Sequence, residues 1–380
     1  MTIALNIDHK EIERRKDLYR RTFNYQAVDH LPVFIWVQGP TSVEHTIRWE
    51  LESGENQLAA NLAWIERSLR LLPDDYVPVV RITQGYLTLA TMFGCQVHWS
   101  EDPNQPPGVL EHPIKELGQV YHLAHPSLQA GIMPENLRRM QLFARSLPPD
   151  VHLTGVDVGG PLNNMKDLIE TNLFYTAFYD DPPAVHHLLD LLTNVQLEVM
   201  QALVEAGGGL GRFGCLDFDP VWHPEKYISF CSDDVCATLG PKLFEKFSLP
   251  YNDRLYAPWG SGGLHNCGPH PCKVMYTRHK RPVKYLNCSH HFSQKDYPAL
   301  REVFAGWGVI EPMFDLSERA EEMLAGYRQM MESLAPDTLA IPICIVDNTW
   351  SDGDIMDLYH EMRKISIEYA RNMRWAKVED

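Results

Sequence analysis

Short apolar runs alternate with longer segments of helical period along most of the chain. Runs at 33–38, 76–82, 152–158, 228–232, 263–266, 283–287, 308–313 and 339–345 are apolar on both faces and bounded by turn residues, the pattern of strands buried on two sides. Between them, apolar residues recur three and four apart. Leu188, Leu189, Leu192, Val195, Leu197 and Met200 predict a helix over 183–206. Ala320, Met323, Leu324, Tyr327 and Met331 predict one opened by Asp315, Leu316, Ser317 and Glu318. Ile355, Leu358, Met362, Ile365 and Tyr369 predict a last helix capped by Asp352 or Asp354. Eight strands alternating with helices call for parallel connections, and an α/β fold closed as a (β/α)8 TIM barrel leaves no edge. A doubly wound open sheet shares this periodicity. The barrel carries one further consequence: polar chemistry gathers at the C-terminal ends of its strands.

Composition narrows the function classes. A chain of 380 residues, 44% of them hydrophobic, buries a large core without cross-links, so its 8 cysteines are expected to be reduced thiols, free to hold metal. The net charge of −16 repels phosphate backbones and anionic lipid, which argues against nucleic-acid and membrane partners. The first 21 residues lack the apolar core of a signal peptide, and no apolar run reaches a membrane span, so a cytoplasmic protein is expected. The proline-rich stretch 101–113 reads as a surface loop or a break between units. Gly209 to Gly214 formally matches the dinucleotide motif GxGxxG, but a helical pattern precedes it and no helix follows, so nucleotide binding is rejected.

The strand ends supply the candidate chemistry. His265 and Cys267 follow the fifth run two residues apart and project to one side of an extended chain. Cys344, near the end of the eighth, can meet them across a barrel mouth. Two thiolates and an imidazole suit Zn2+ and leave its fourth position open, as a catalytic zinc requires. Two plainer readings stand beside this one: ordinary core packing of each cysteine, and a compact structural zinc knot of His265, Cys267, His270 and Cys272. Asp233 and Asp234 end the fourth run and read equally as a helix cap. His290 and His291 follow the sixth and read equally as loop histidines. Glu311 lies within the seventh run.

The segment LGPKLFEKFSLPY at 239–251 resembles the helix after the fourth strand in uroporphyrinogen decarboxylases and their relatives. The resemblance runs from about Arg15 to Met373 and implies one TIM-barrel domain over 1–380 with an N-terminal helical extension, often homodimeric. Residues 208–227 look like an insertion. The decarboxylases' arginine-rich motif after the first strand and aspartate after the second are missing: this chain has Trp36, Val37, Gln38 and Gly39, then Ile82, Thr83, Gln84 and Gly85. The cobalamin-linked, zinc-dependent methyltransferase branch, which includes methylcobamide:coenzyme M methyltransferases, is the closer likeness. There the zinc ligands fall at His265, Cys267 and Cys344, and an acidic residue at the fourth strand, here Asp233 or Asp234, fills the open position in some relatives.

The resemblance therefore implies a zinc-dependent methyltransferase that moves a methyl group between a small molecule and a corrinoid (methylcobalamin) on a separate carrier protein. The small molecule would be a methyl ether such as a methoxylated aromatic, a methylamine or a thiol. Asp234 and His290 are the catalytic candidates, His290 as proton donor to the leaving group. Trp36, Gln38, Tyr86 and Asp233 are the candidate substrate contacts, and Trp222 and Trp259 are placed in or beside the mouth loops. Two other functions stay open: a lyase on a smaller carboxylate, gripped by Arg81 or Lys284, and a non-catalytic corrinoid-binding module.

Overall fold

The computed structural model describes residues 5, 7–38, 46–72, 75–280 and 283–376. Asp8 caps the first helix, α1 (His9–Phe23), by accepting from the Lys10 amide, and Ile12, Leu18, Tyr19 and Phe23 form its buried face. The expected extension thus precedes the first strand.

The barrel strands are β1 (Phe34–Val37), β2 (Val79–Val80), β3 (His152–Thr154), β4 (Phe213–Cys215), β5 (Ser229–Ser232), β6 (Gly262–His265), β7 (Val283–Ser289), β8 (Val309–Phe314), β9 (Leu339–Ala340) and β10 (Ile343–Val346). All pairings among them are parallel, in one arc ordered β1-β10-β8-β7-β6-β5, with β9 on β8, and a second ordered β2-β3-β4. The Leu216 amide donates to the Ile228 carbonyl at 2.8 Å and links the arcs. The parallel strands with helices between them fit the expected (β/α)8 barrel. Each of the eight expected runs contains a strand, the last divided into β9 and β10 around Ile341 and Pro342. Among the described residues, no helix is long and apolar enough to cross a membrane.

The stretch that looked like an insertion is structural. It contributes β4, and the chain then doubles back beside that strand, the His223 amide donating to the Gly214 carbonyl at 3.0 Å. Asp217, Asp219, Val221, Trp222 and His223 are consequently buried. Trp222 does not reach the mouth. Its ring meets Tyr19 of α1 edge-on, with Lys16 and Arg20 over its face. That is the N-terminal end of the barrel, because Tyr25, just beyond α1, donates its hydroxyl to the carbonyl of Gly308, directly before β8. Lys284 lies at the same end, its ammonium bonded to the Trp307 carbonyl and facing the Tyr25 ring. It cannot grip a substrate at the mouth.

Helix ends show smaller departures. The long helix α2 runs Pro182–Ala206 behind an Asp181 cap, and α3 opens at Ala320, the Asp315–Glu318 turn standing before it. The last helix, α4 (Asp352–Asn372), is capped by Ser351 rather than by either aspartate; Asp354 closes the reciprocal capping box. Stretch 101–113 is mostly exposed and ends in a two-residue antiparallel ladder outside the barrel.

One pH effect follows from the barrel floor. His152 opens β3 with both ring nitrogens buried and unpartnered, and burial pushes its pKa down to about 3. The folded-state pKa is below the unfolded value, so the unfolded chain takes up the proton first. His152 therefore stabilises the fold above about pH 6.5 and loses that contribution as pH falls toward 3, by about 1.4 kcal/mol per pH unit. In urea titrations at pH 7 and pH 5, the stability gap between the wild type and His152→Gln should shrink at the lower pH.

Candidate active site

β5 and β6 run side by side with Ser232 level with His265, so the residues that follow both strands meet at the C-terminal mouth. Asp234, His265 and Cys267 each offer one donor atom there, all within 4.8 Å of one another. Asp234 Oδ1 lies 3.3 Å from His265 Nε2 and accepts from the Cys267 amide at 3.0 Å. Cys267 Sγ is 3.3 Å from the same imidazole nitrogen. The other oxygen of Asp234 accepts from Ser232 Oγ at 3.1 Å and from Asn163 Nδ2 at 3.2 Å. The carboxylate is thus oriented on both sides.

The imidazole is oriented from behind. His265 Nδ1 lies 2.5 Å from Asn287 Oδ1, level with it on β7, and a carbonyl oxygen can only accept. Nδ1 therefore carries a proton, and Nε2 is the nitrogen that faces Asp234 and Cys267. Asn287 was missed in the sequence, although its place at the end of the sixth run, one strand from His265, was a usable signal. Phe218 packs edge-on against the His265 ring. Burial disfavours charge on His265, but Asp234 and Cys267 outweigh it and raise its pKa well above the usual value. Burial likewise opposes ionisation of Asp234, yet His265 and the Cys267 amide outweigh it and hold the carboxyl well below its usual range. A positive charge is strongly favoured where the three donors converge.

Asp234 and His265 also line a cavity of about 470 Å³ with Tyr86, Asp157, Asn163, Lys166, Tyr175 and Phe218, a volume typical of small-molecule sites. Asp157 is half-buried, and desolvation raises its pKa. Tyr86, a candidate substrate contact, is among the residues lining this cavity. Trp36, on β1, faces Arg81, whose guanidinium lies 5.4 Å from both the Trp36 and Phe218 rings. Gln38 extends β1, its amide donating to the Val346 carbonyl.

Four expected residues lie elsewhere. Cys344 is not joined to His265 and Cys267. It is level with Phe314 on β8, and residues level on adjacent parallel strands share a face. Phe314 packs against His290, and a side chain on Gly326 of α3 would strike it. That face is the helical layer, and burial pushes the Cys344 thiol far up. His290 packs in the same layer, its Nδ1 2.9 Å from the Tyr297 hydroxyl, and it lines a separate cavity with His291 and Glu318, not the one lined by Asp234 and His265. Asp233 is fully buried and turned outward, accepting from Ser248 and, at 2.9 Å, from Asn252, so it tethers helices and does not line the cavity. Trp259 lies in an outer groove with Leu128 and Leu197. The zinc knot fails too: Cys272 donates to backbone carbonyls at Cys236 and Leu239, and His270 is bonded to Ser293 and Tyr276.

A profile of the uroporphyrinogen decarboxylase (URO-D) family matches residues 14–211, just over half the chain. The chain belongs to the URO-D family. The match ends before Asp234, so membership and the converging donors are independent observations. Among solved structures, this URO-D chain is similar to a methyltransferase from Methanosarcina mazei, at 18% identity over 92% of this chain and 98% of that one, with a TM-score of 0.67. That likeness shows a shared fold. It is also similar to a B12-independent methionine synthase from Shewanella sp. W3-18-1, at 9% identity, covering 90% and 98% of the chains, with a TM-score of 0.48. A search of curated protein sequences finds no match.

Proposed function

We propose that this URO-D-family chain is a zinc-dependent methyltransferase that transfers a methyl group between a small molecule and a corrinoid carried by a separate protein. The observation that carries the proposal is the convergence of Asp234, His265 and Cys267 at a mouth that opens into a cavity of small-molecule size. One thiolate, one imidazole and one carboxylate fit Zn2+ and leave a position free. The ligand set differs from the one the resemblance implied, with Asp234 in place of Cys344.

When bound, zinc would lower the pKa of a substrate thiol or draw electrons from a methyl ether or amine. The chain's own residues do the rest. Asn287 fixes the tautomer of His265, and Ser232 and Asn163 aim Asp234. Phe218 and Tyr86 supply apolar walls that exclude water. Asp157, its pKa raised by desolvation, lines the cavity and is placed to give a proton from its carboxyl to a leaving oxygen or nitrogen, the task expected of His290. Replacing Asn287 by alanine should weaken zinc binding about 10- to 100-fold by freeing the imidazole, measured by competition with a chromophoric chelator.

The test is methylcobalamin absorbance in the presence of the zinc-loaded chain and a panel of thiols, with methylated phenols and amines assayed in reverse against reduced cobalamin. Turnover that disappears on chelation and returns with zinc supports the proposal. Spectral binding without turnover marks a corrinoid-binding module. One observation favours the lyase as a second reading: Arg81 stands beside the cavity wall with its Nε buried and unpartnered, a ready carboxylate contact. Decarboxylation of a small acid that survives complete chelation would establish it instead.

A further inference from the structure

Inside the barrel a second group converges, with donor atoms distinct from those at the mouth. Glu311 points inward from β8, level with Asn287 on β7. Asp219 and His223 come from the buried stretch after β4. All three are fully buried, with one donor atom each within 4.8 Å. Both carboxylate oxygens of Glu311 lie 3.1 Å from His223 Nε2. Asp219 Oδ1 accepts from the Val221 amide at 3.0 Å, while its Oδ2 is buried without any partner. Among the described residues, Glu311 is ion-paired with His223 alone, and Asp219 with no lysine or arginine. Two carboxyl groups and an imidazole thus meet in a dry interior with no lysine or arginine paired to them, and Asp219 Oδ2 has no donor among the described residues.

We propose that Asp219, His223 and Glu311 form a second divalent-cation site, enclosed within the barrel and suited to an ion of the Mn2+ or Fe2+ class. The proposal goes beyond the methyltransferase reading and does not depend on it. Two oxygens and a nitrogen, with no sulfur, suit such ions. Ligands at about 2.1 Å in an octahedron stand about 3 Å apart along an edge, close to the separation of His223 from Glu311. His223 is held in place by its ring stacked on Tyr285, centroids 4.0 Å apart, with its Nδ1 3.4 Å from the Tyr285 hydroxyl. Enclosure means the ion enters as the chain folds and leaves slowly.

The full chain, produced in Mn2+-supplemented medium and then dialysed against chelator, tests this by elemental analysis and electron paramagnetic resonance. About one Mn2+ per chain should survive chelation in the wild type and in Cys267→Ala, because an enclosed ion does not depend on the mouth. Glu311→Gln and Asp219→Asn should each lose the ion and melt at the temperature of manganese-free protein. Wild type stripped bare by the chelator would overturn the proposal. So would retention of the ion in both carboxamide variants, or variants more stable than wild type in both media, which would mark a carboxyl pair sharing a proton. If the variants fail to fold, retention in wild type and in Cys267→Ala still decides the matter. Loss from Cys267→Ala would place the ion at the mouth and overturn the proposal. Failure of the methyltransferase assay leaves these readouts unchanged.

Discussion

Cys267→Ala is expected to abolish both zinc retention and methyl transfer while leaving the fold intact. Cys267 is exposed and outside the core, and its thiol lies beside His265 and Asp234 at the mouth, so its removal opens no cavity and strands no buried group. The surviving pair, His265 and Asp234, already satisfies itself as imidazolium and carboxylate, which competes with the ion once the thiolate is gone. The affinity lost should exceed the about 10- to 100-fold that removal of an outer partner costs. Cys344→Ala is the contrasting variant. Its thiol faces the helical layer, so zinc content should match wild type, while the buried truncation costs about 1 kcal/mol of stability. Metal-to-protein ratios and thermal melts on the two variants separate these effects. Zinc lost from Cys344→Ala with zinc kept by Cys267→Ala would reverse the assignment.

Gly262→Ala is expected to destabilise the fold by more than about 4 kcal/mol, beyond the usual cost of overpacking. A methyl at Gly262 would run into the carbonyl and Cα of Ser229. Those are backbone atoms of the neighbouring strand and cannot rotate away. The collision falls on the β5–β6 pair that presents Asp234 and His265, so the variant should also lose the site before it melts. Gly118→Ala is the control, because nothing lies within 4 Å of the added carbon and the backbone there is in an ordinary conformation; its stability should stay within about 0.5 kcal/mol of wild type. Denaturant unfolding of both variants, followed by tryptophan fluorescence, measures the difference. A Gly262→Ala protein as stable as the control would mean the strands are spaced more widely than described.

Much of this architecture was legible in the chain. Runs apolar on both faces, separated by segments of helical period, have few solutions other than a covered parallel sheet, and the barrel followed. His265 and Cys267 were legible because spacing by two fixes a common side. What failed did so for identifiable reasons. Cys344 sits in the run Ile343, Cys344, Ile345, Val346, in which both faces are buried, so hydrophobicity gives no clue to which alternate residues face the lumen; only pairing with Phe314 decides it. The choice between Asp233 and Asp234 had the same origin and was settled by Ser248 and Asn252, which hold the former outward. His290 opens a short helix after β7, where one residue of turn geometry separates the mouth from the helical layer. The buried return carrying Asp219 and His223 was hidden because its polar residues, flanked by glycine and proline, lay in a stretch read only as an insertion. Burial there is imposed by β4 and the lumen, which no local pattern encodes.

X-ray absorption at the zinc edge of the loaded wild-type chain tests the central claim most directly. One sulfur at about 2.3 Å, with the remaining ligands nitrogen and oxygen at about 2.0 to 2.2 Å, is the expected shell, unchanged in Cys344→Ala and without sulfur in any zinc that Cys267→Ala retains. Two sulfurs in the wild type, one of them lost in Cys344→Ala, would contradict it.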